Sequence, residues 1–310
     1  MTLVMEKTEL HAADTTTTTP SSFELKVEIG TTAAFAFLLD PSGEGSGPEH
    51  FRRGRKRLPR YFDWLEVPSE RALSVVDELM PRQPELLSPL PFNLLVSPRW
   101  AGNARSVEVF VNMASRRHNE SLVRVPAWAK FLIGHQPIER WIALQPYLAR
   151  LGKVALIGVD TSSTGEHALE VLVRADDFQA EHLKRFAMLA GAPSGQLVHL
   201  WRSLSASRGS DSGPTILSIR LAGDESLDVG VTFPARRAGS AIEIQKRIQA
   251  LAHVYDLDIS RYLKSIEELK RLSGRPPQHT VLGLSSKNGR IVLTASFESV
   301  AAHHGMARVS

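Results

Sequence analysis

The sequence contains no cysteine, which excludes disulfides, thiol nucleophiles and Cys-ligated zinc. It contains no run of about 18 apolar residues, and so offers no candidate membrane-spanning helix. Aromatic residues are few, at 7%, and only four are tyrosines: Tyr61, Tyr147, Tyr255 and Tyr262. The N-terminal segment lacks the basic stretch and apolar core of a secretory signal, so a cytoplasmic protein is expected. There is no G-x-S-x-G, P-loop or G-x-G-x-x-G, which removes the usual serine-hydrolase, Walker and dinucleotide-binding signatures. His167, His182 and His199 share no metal-ligand spacing, and His303-His304 sits near the C-terminal end.

What is present is an ordinary globular composition of 310 residues, 43% hydrophobic and 23% charged, with a net charge of +4. Much of the positive excess falls in residues 52–60, RRGRKRLPR. Following a Gly-rich stretch, this run reads as a solvated loop over 41–67 that draws acidic partners, and nucleic acid is not expected. Residues 1–22, ending in a Thr-rich tract, read as a disordered leader, and residues 299–310 as a tail.

Between them the dominant signal is period-2 alternation. Residues 152–177 show it best: two runs, 153–160 and 167–174, flank a Ser/Thr/Gly turn, the mark of a hairpin. In the second run Ala168, Glu170, Leu172 and Arg174 share one face while Leu169, Val171 and Val173 share the other. Four more pairs follow the same rule: 23–30 with 31–40, 92–98 with 106–113, 215–221 with 226–233, and 279–285 with 290–297. The last pair turns at Asn288-Gly289, the strongest short hairpin signal. Helical spacing fills the gaps at 69–80, 137–150, 177–190, 194–205, 240–255 and 260–272. Ser69 and Asp177 are candidate N-caps.

Ten half-buried antiparallel strands have two solutions. They can close into one barrel, with helices outside and polar faces lining a lumen. Otherwise they form two sandwich-like α+β domains, split near residue 130. The expected fold is the first: an α+β chain, 23–298, holding a ten-stranded antiparallel β-barrel of five ββ pairs surrounded by helices. A lumen of this width takes a polar or charged ligand.

This plan resembles the aromatic-prenyltransferase barrel, the ABBA or PT-barrel family, and within it most the cyanobactin-type peptide prenyltransferases. The matching residues are Leu156-Ile157-Gly158-Val159-Asp160, Leu169-Glu170-Val171, Arg174-Ala175-Asp176-Asp177-Phe178, Phe23-Glu24-Leu25-Lys26 and Phe37-Leu38-Leu39-Asp40. The resemblance implies transfer of an allylic group, from dimethylallyl or geranyl diphosphate, to a side chain of a macrocyclic peptide or to a small aromatic or cationic acceptor, assisted by Mg²⁺. By position it implies Glu24 as the metal carboxylate and Arg174 and Arg290 as diphosphate contacts. Alternation adds Lys26 and Arg220 as inward cations, the latter opposite Asp228.

Inward carboxylates are numerous for a diphosphate site. Glu170 and Asp228 are expected with Glu24 among the catalytic groups, and Glu108, Phe110 and Asn112 against the acceptor. Glu108, Glu170 and Asp228 are also suited to fork onto a guanidinium, or to neutralise lumen arginines. Two departures from the family stand out. The tyrosines that line such barrels lie outside the strands here, and Ala33 or Ala34 stands where a second-strand arginine is expected. A catalytically silent barrel that binds a peptide or small molecule is the alternative reading.

Overall fold

The structure is a computed structural model and describes residues 24–30, 34–42, 47–80, 94–113, 118–134, 138–205, 214–223 and 227–298. The leader, the tail with His303-His304, and Ala33 lie outside the described residues. Strands β1 (Glu24–Ile29), β2 (Ala34–Leu38), β3 (Leu94–Ala101), β4 (Ala104–Asn112), β5 (Lys153–Ser162), β6 (His167–Ala175), β7 (Thr215–Ala222), β8 (Leu227–Pro234), β9 (His279–Lys287) and β10 (Arg290–Glu298) form one sheet. Each pairs antiparallel with its sequence neighbours, and β1 pairs with β10, closing the barrel. The division into two domains is therefore wrong. Closure leaves no unpaired edge for another chain to extend.

The strands come in pairs. All five hairpin connections lie at one end of the barrel, and the helical excursions leave from the other. After β2 come α1 (Gly47–Leu65) and α2 (Glu70–Leu79); after β4, α3 (His118–Ile133) and α4 (Ile138–Leu151); after β6, α5 (Ala180–Ala190) and α6 (Ser194–Leu204). A short 3₁₀ turn, α7 (Ala241–Tyr255) and α8 (Ser260–Ser273) follow β8. No described helix is long and apolar enough to cross a membrane.

Alternation explains the layers. Val107, Val109 and Val111, Leu169, Val171 and Val173, and Leu217, Ile219 and Leu221 are buried, in one cluster with helix residues such as Leu58, Phe62, Val125, Leu144 and Phe186. The intervening polar residues must then face the axis. Trp100 sits outside the barrel, stacked on Phe35 at 5.2 Å and edge-on to Trp64 at 5.5 Å. Its neighbour Arg99 accordingly points in.

Four local readings need correction. The segment expected as a loop over 41–67 carries a 19-residue helix, α1. Its arginines concealed an apolar stripe, Phe51, Leu58, Phe62 and Leu65, that is buried. Helix α3 begins in what reads as a polar turn at 115–120, and Pro126 within it masks the spacing of Leu122, Val125, Ala129 and Leu132. Helix α5 is capped by Gln179 and not by Asp177, through a capping box with His182. Strand β3 also runs three residues past Pro98. Proline cannot donate to a ladder, and the β2–β3 pairing is interrupted beside it, between Ala36↔Arg99 and Leu39↔Val96.

Candidate functional site in the barrel lumen

The lumen wall is chemically divided around the axis. From β9 through β1 to β3 it carries Lys287, Lys26, Glu28 and Arg99; from β4 to β6 it carries Glu108, Asp160 and Glu170; Arg220 follows on β7. Pairing keeps the acids at neighbouring levels. Glu108 is the Cα partner of Asp160, and Glu170 that of Arg220.

Glu28 is the centre of the cationic arc. Arg99 Nη2 donates to its Oε2 at 2.6 Å, and Lys287 Nζ donates to its Oε1 at 2.8 Å. Both bonds skip a strand, since β2 separates β1 from β3 and β10 separates β1 from β9. Strands are about 4.8 Å apart, so only long side chains converging inside a cylinder make such bonds. Ala36 is the Cα partner of both Lys26 and Arg99. Its small side chain, with that of Ala34, gives Arg99 its passage over β2. Arg99, on the third strand, thus places a cation in the lumen across β2, whose described inward residues Ala34 and Ala36 carry none. Burial pushes the Glu28 carboxyl up, but Lys287, Arg99 and Lys26 outweigh it and hold it well below the usual carboxylate range.

Arg220 bonds Asp160 across β6, Nη2 to Oδ2 at 2.5 Å. Ala168, the Cα partner of Asp160 on β6, leaves room for it. Arg220 also lies opposite Asp228, its Cα partner on β8, as expected; Asp228 stands at the rim and accepts from the Asn288 backbone N–H at 2.7 Å. Burial works against the charge on Arg220, but Asp160, Glu108 and Glu170 raise its pKa further. Asp160, Ser162, His167, Arg220 and Asp228 border a cavity of ≈ 550 Å³ at the hairpin end, which opens the lumen to solvent.

Deeper in, Glu108 and Glu170 share a hydrogen bond. Burial, then the Glu170 and Asp160 charges, push the Glu108 carboxyl well up, so it holds the proton. For Glu170 burial also raises, but the hydrogen bond from Glu108 and the charges of Lys26, Arg220 and Lys287 bring it below its usual value. Gly158 lies between them in register, partner of Phe110 on one side and Glu170 on the other. A Cβ there would stand 2.8 Å from the Phe110 ring and 3.1 Å from Glu108 Oε1. Among the described residues seven buried side-chain polar atoms lack a partner, and three belong to this lumen: Arg99 Nε, Glu108 Oε1 and Asp160 Oδ1.

The sequence-derived site divides accordingly. Lys26, Glu108, Phe110, Asn112, Glu170 and Arg220 all face inward. Arg174 does not join the cations: it lies at the helix-linked end, largely exposed, and bonds Asp176 at 3.0 Å. Arg290 is exposed at the hairpin turn, and its Cα partner Lys287 supplies the inward charge instead. Glu24, placed by its backbone only, is four residues or about 13 Å along β1 from Glu28. Sequence reasoning missed Glu28, Arg99 and Lys287 as site residues. Glu28 was legible on the face of Lys26, Arg99 lay hidden behind Pro98, and Lys287 was absorbed into the Asn-Gly turn.

A magnesium site does not follow from the described donors. No group of three or more His, Asp or Glu among the described residues is placed to hold a metal, and both oxygens of Glu28 are engaged by cations. All four tyrosines lie on helices, outside the strands as expected, with Tyr61 on α1 where a loop was expected.

No family model matches the sequence, nor does any curated protein. Solved structures do match. 5-Dimethylallyltryptophan synthase from Streptomyces coelicolor superposes with a TM-score of 0.73 at 18% identity, over 92% of this chain and 83% of that one. The prenyltransferase PriB, in a ternary complex with L-tryptophan and dimethylallyl thiolodiphosphate, gives 0.70 at 17% identity over 91% and 81%. 6-Dimethylallyltryptophan synthase from Micromonospora olivasterospora, in complex with DMASPP and Trp, gives 0.67 at 15% over 88% and 81%. Ten strands in five pairs, closed on themselves within a ring of helices, give this chain the ABBA, or PT-barrel, fold of those prenyltransferases.

Proposed function

We propose that this barrel is a prenyltransferase, moving an allylic group from its diphosphate to an aromatic or nitrogen-bearing acceptor, free or on a peptide. The observation that carries the reading is the cationic arc of Arg99, Lys287 and Lys26 inside a closed cylinder, with Arg99 Nε unsatisfied. Ionising an allylic C–O bond leaves a diphosphate, and preorganised positive charge in a low-dielectric site stabilises that leaving group most. The wall keeps bulk water from the allyl cation. The three structural neighbours named above are prenyltransferases, and two of them hold a dimethylallyl donor analogue with tryptophan, which supports the same assignment.

The residues then divide the work. Arg99 and Lys287 hold diphosphate oxygens, with Glu28 keeping the two cations apart and aligned until the donor arrives. Lys26 and Arg220 complete the positive field. The acceptor lies toward β4–β6, against Phe110 and the carboxylates. Magnesium carried on the diphosphate belongs to the proposal only through Glu24, and no step above depends on it.

The silent barrel is favoured by one specific observation: Arg99, Lys287 and Arg220 are each already bonded to a carboxylate, so a diphosphate must displace one. The test is incubation with C5, C10 and C15 allylic diphosphates, with and without Mg²⁺, and tryptophan, tyrosine and arginine peptides, read by mass. Mass gain that is lost in Arg99→Met and Lys287→Met supports transfer. No gain with any donor, and no heat on titrating pyrophosphate, leaves the silent barrel.

A further inference from the structure

We infer that the acceptor half of the lumen is built for a cationic nitrogen group, a guanidinium or an ammonium, seated between Glu108, Asp160 and Glu170. This rests on the prenyl-transfer reading for what happens to the group afterwards, but not for its binding.

Two geometric facts point to the ligand. Glu108 Oε1 and Asp160 Oδ1 are both buried and both lack a hydrogen-bond partner. They belong to Cα partners on adjacent strands, so the two orphan acceptors sit at the same level of the lumen wall. Buried carboxylate oxygens left unmade are costly, and a ligand with several N–H donors satisfies them together. The missing side chain at Gly158 lets Glu108 Oε1 and the Phe110 ring pack over it, 3.1 and 2.8 Å from where a Cβ would stand, and the ring beside that oxygen offers a flat apolar support.

Charge agrees with geometry. Around β4–β6 there are three carboxyl groups and one hydrogen-bonded cation, Arg220, which is spent on Asp160 Oδ2. Glu108 and Glu170 balance the remainder by sharing a proton. An incoming cation takes the place of that proton, and the pair then binds it with two charged carboxylates in the strong, charge-assisted mode. A neutral indole offers one N–H and no charge, leaving an oxygen unsatisfied.

With an allylic diphosphate in the cationic arc, Glu170 first takes a proton from the bound cation, and the lone pair freed on the neutral nitrogen forms a bond to the allylic carbon. The C–O bond breaks with its electron pair leaving on the diphosphate, the alkylated nitrogen carries the positive charge, and the proton stays on Glu170.

Binding without donor is the test, on the full-length chain by calorimetry. The probes are the methylamides of N-acetylarginine, N-acetyllysine and N-acetyltryptophan, with N-acetylcitrulline methylamide as the neutral isostere of the arginine probe. The expected result is that arginine or lysine binds at least about tenfold tighter than citrulline. It should bind tighter as the pH rises from 5 to 8, with release of a proton seen as a dependence of the heat on buffer. Glu108→Gln, which mimics the protonated acid, should fold and should abolish both the proton release and most of the preference. Citrulline binding as well as arginine, tryptophan binding in preference to both cations, or a preference unchanged in Glu108→Gln and Glu170→Gln would each overturn the inference. Arginine binding with no pyrophosphate binding would sink prenyl transfer and leave this site standing. Prenylation of tryptophan peptides with no cation preference would do the reverse.

Discussion

Glu28 accepts from Arg99 on one oxygen and from Lys287 on the other. Glu28→Gln leaves two partly buried cations without their counter-charge, a defect that costs about 3 kcal/mol where one partner of a buried pair is removed. The same change takes away the carboxylate that a diphosphate must displace. Chemical denaturation should therefore show a lower midpoint, while titration of pyrophosphate shows affinity higher by about tenfold. Because the folded pKa of Glu28 is depressed, its contribution to stability is present above about pH 4.5 and is lost as the pH falls through the folded value. Glu108 has the opposite sign. Its folded pKa is raised, so the stability it contributes is present below about pH 4.5 and is lost as the pH rises. Glu108→Gln should accordingly be neutral or stabilising at pH 7 and should flatten the pH dependence of the urea midpoint. His279 is held neutral, lowered to about 4 by burial beside Tyr262. It adds a second acid-side loss of stability, beginning below about pH 6.5.

At the level of the element, glycines mark where the wall cannot tolerate a side chain. Gly152 joins α4 to β5, and a Cβ there would run into the backbone carbonyl of Arg174. Gly152→Ala should cost more than Gly158→Ala, whose obstacle is the edge of the Phe110 ring and the end of Glu108. For Gly158→Ala an overpacking loss of about 1–3 kcal/mol is expected, with acceptor binding weakened, and melting temperatures of the two variants would rank them. The strands were legible because each buries one face and wets the other, which writes period 2 into residues such as 167–175. Helices α1 and α3 were not, since Arg-rich and Pro-interrupted sequence conceals a helix whose apolar stripe is fixed by what it packs on. The site was half legible for a related reason. Parity shows which side chains face the axis, and that identified Lys26, Glu108, Glu170 and Arg220. Parity says nothing of bonds that leap over a strand: it set Arg220 opposite Asp228, its register partner, without showing the bond to Asp160, and Lys287 was passed over inside the turn.

For the whole molecule, closure through β1 and β10 joins residues 24–29 to residues 293–298. Contacts of such sequence separation are slow to form, because loop closure is costly before any contact rewards it. Removing residues 279–298 takes away two strands and Lys287, opens the barrel at β1 and β8, and should abolish cooperative unfolding, as circular dichroism on heating would show. An equally large excision that left a stable cylinder with intact pyrophosphate binding would contradict this account.

The bonds that span a strand have a consequence for how the protein comes into being. Glu28 is synthesised 259 residues before Lys287, so a nascent chain carries an incomplete cationic arc until the β9–β10 hairpin emerges. Closure of the cylinder and assembly of the cationic arc are therefore one event, and the proposed diphosphate seat is missing from any intermediate that lacks that hairpin.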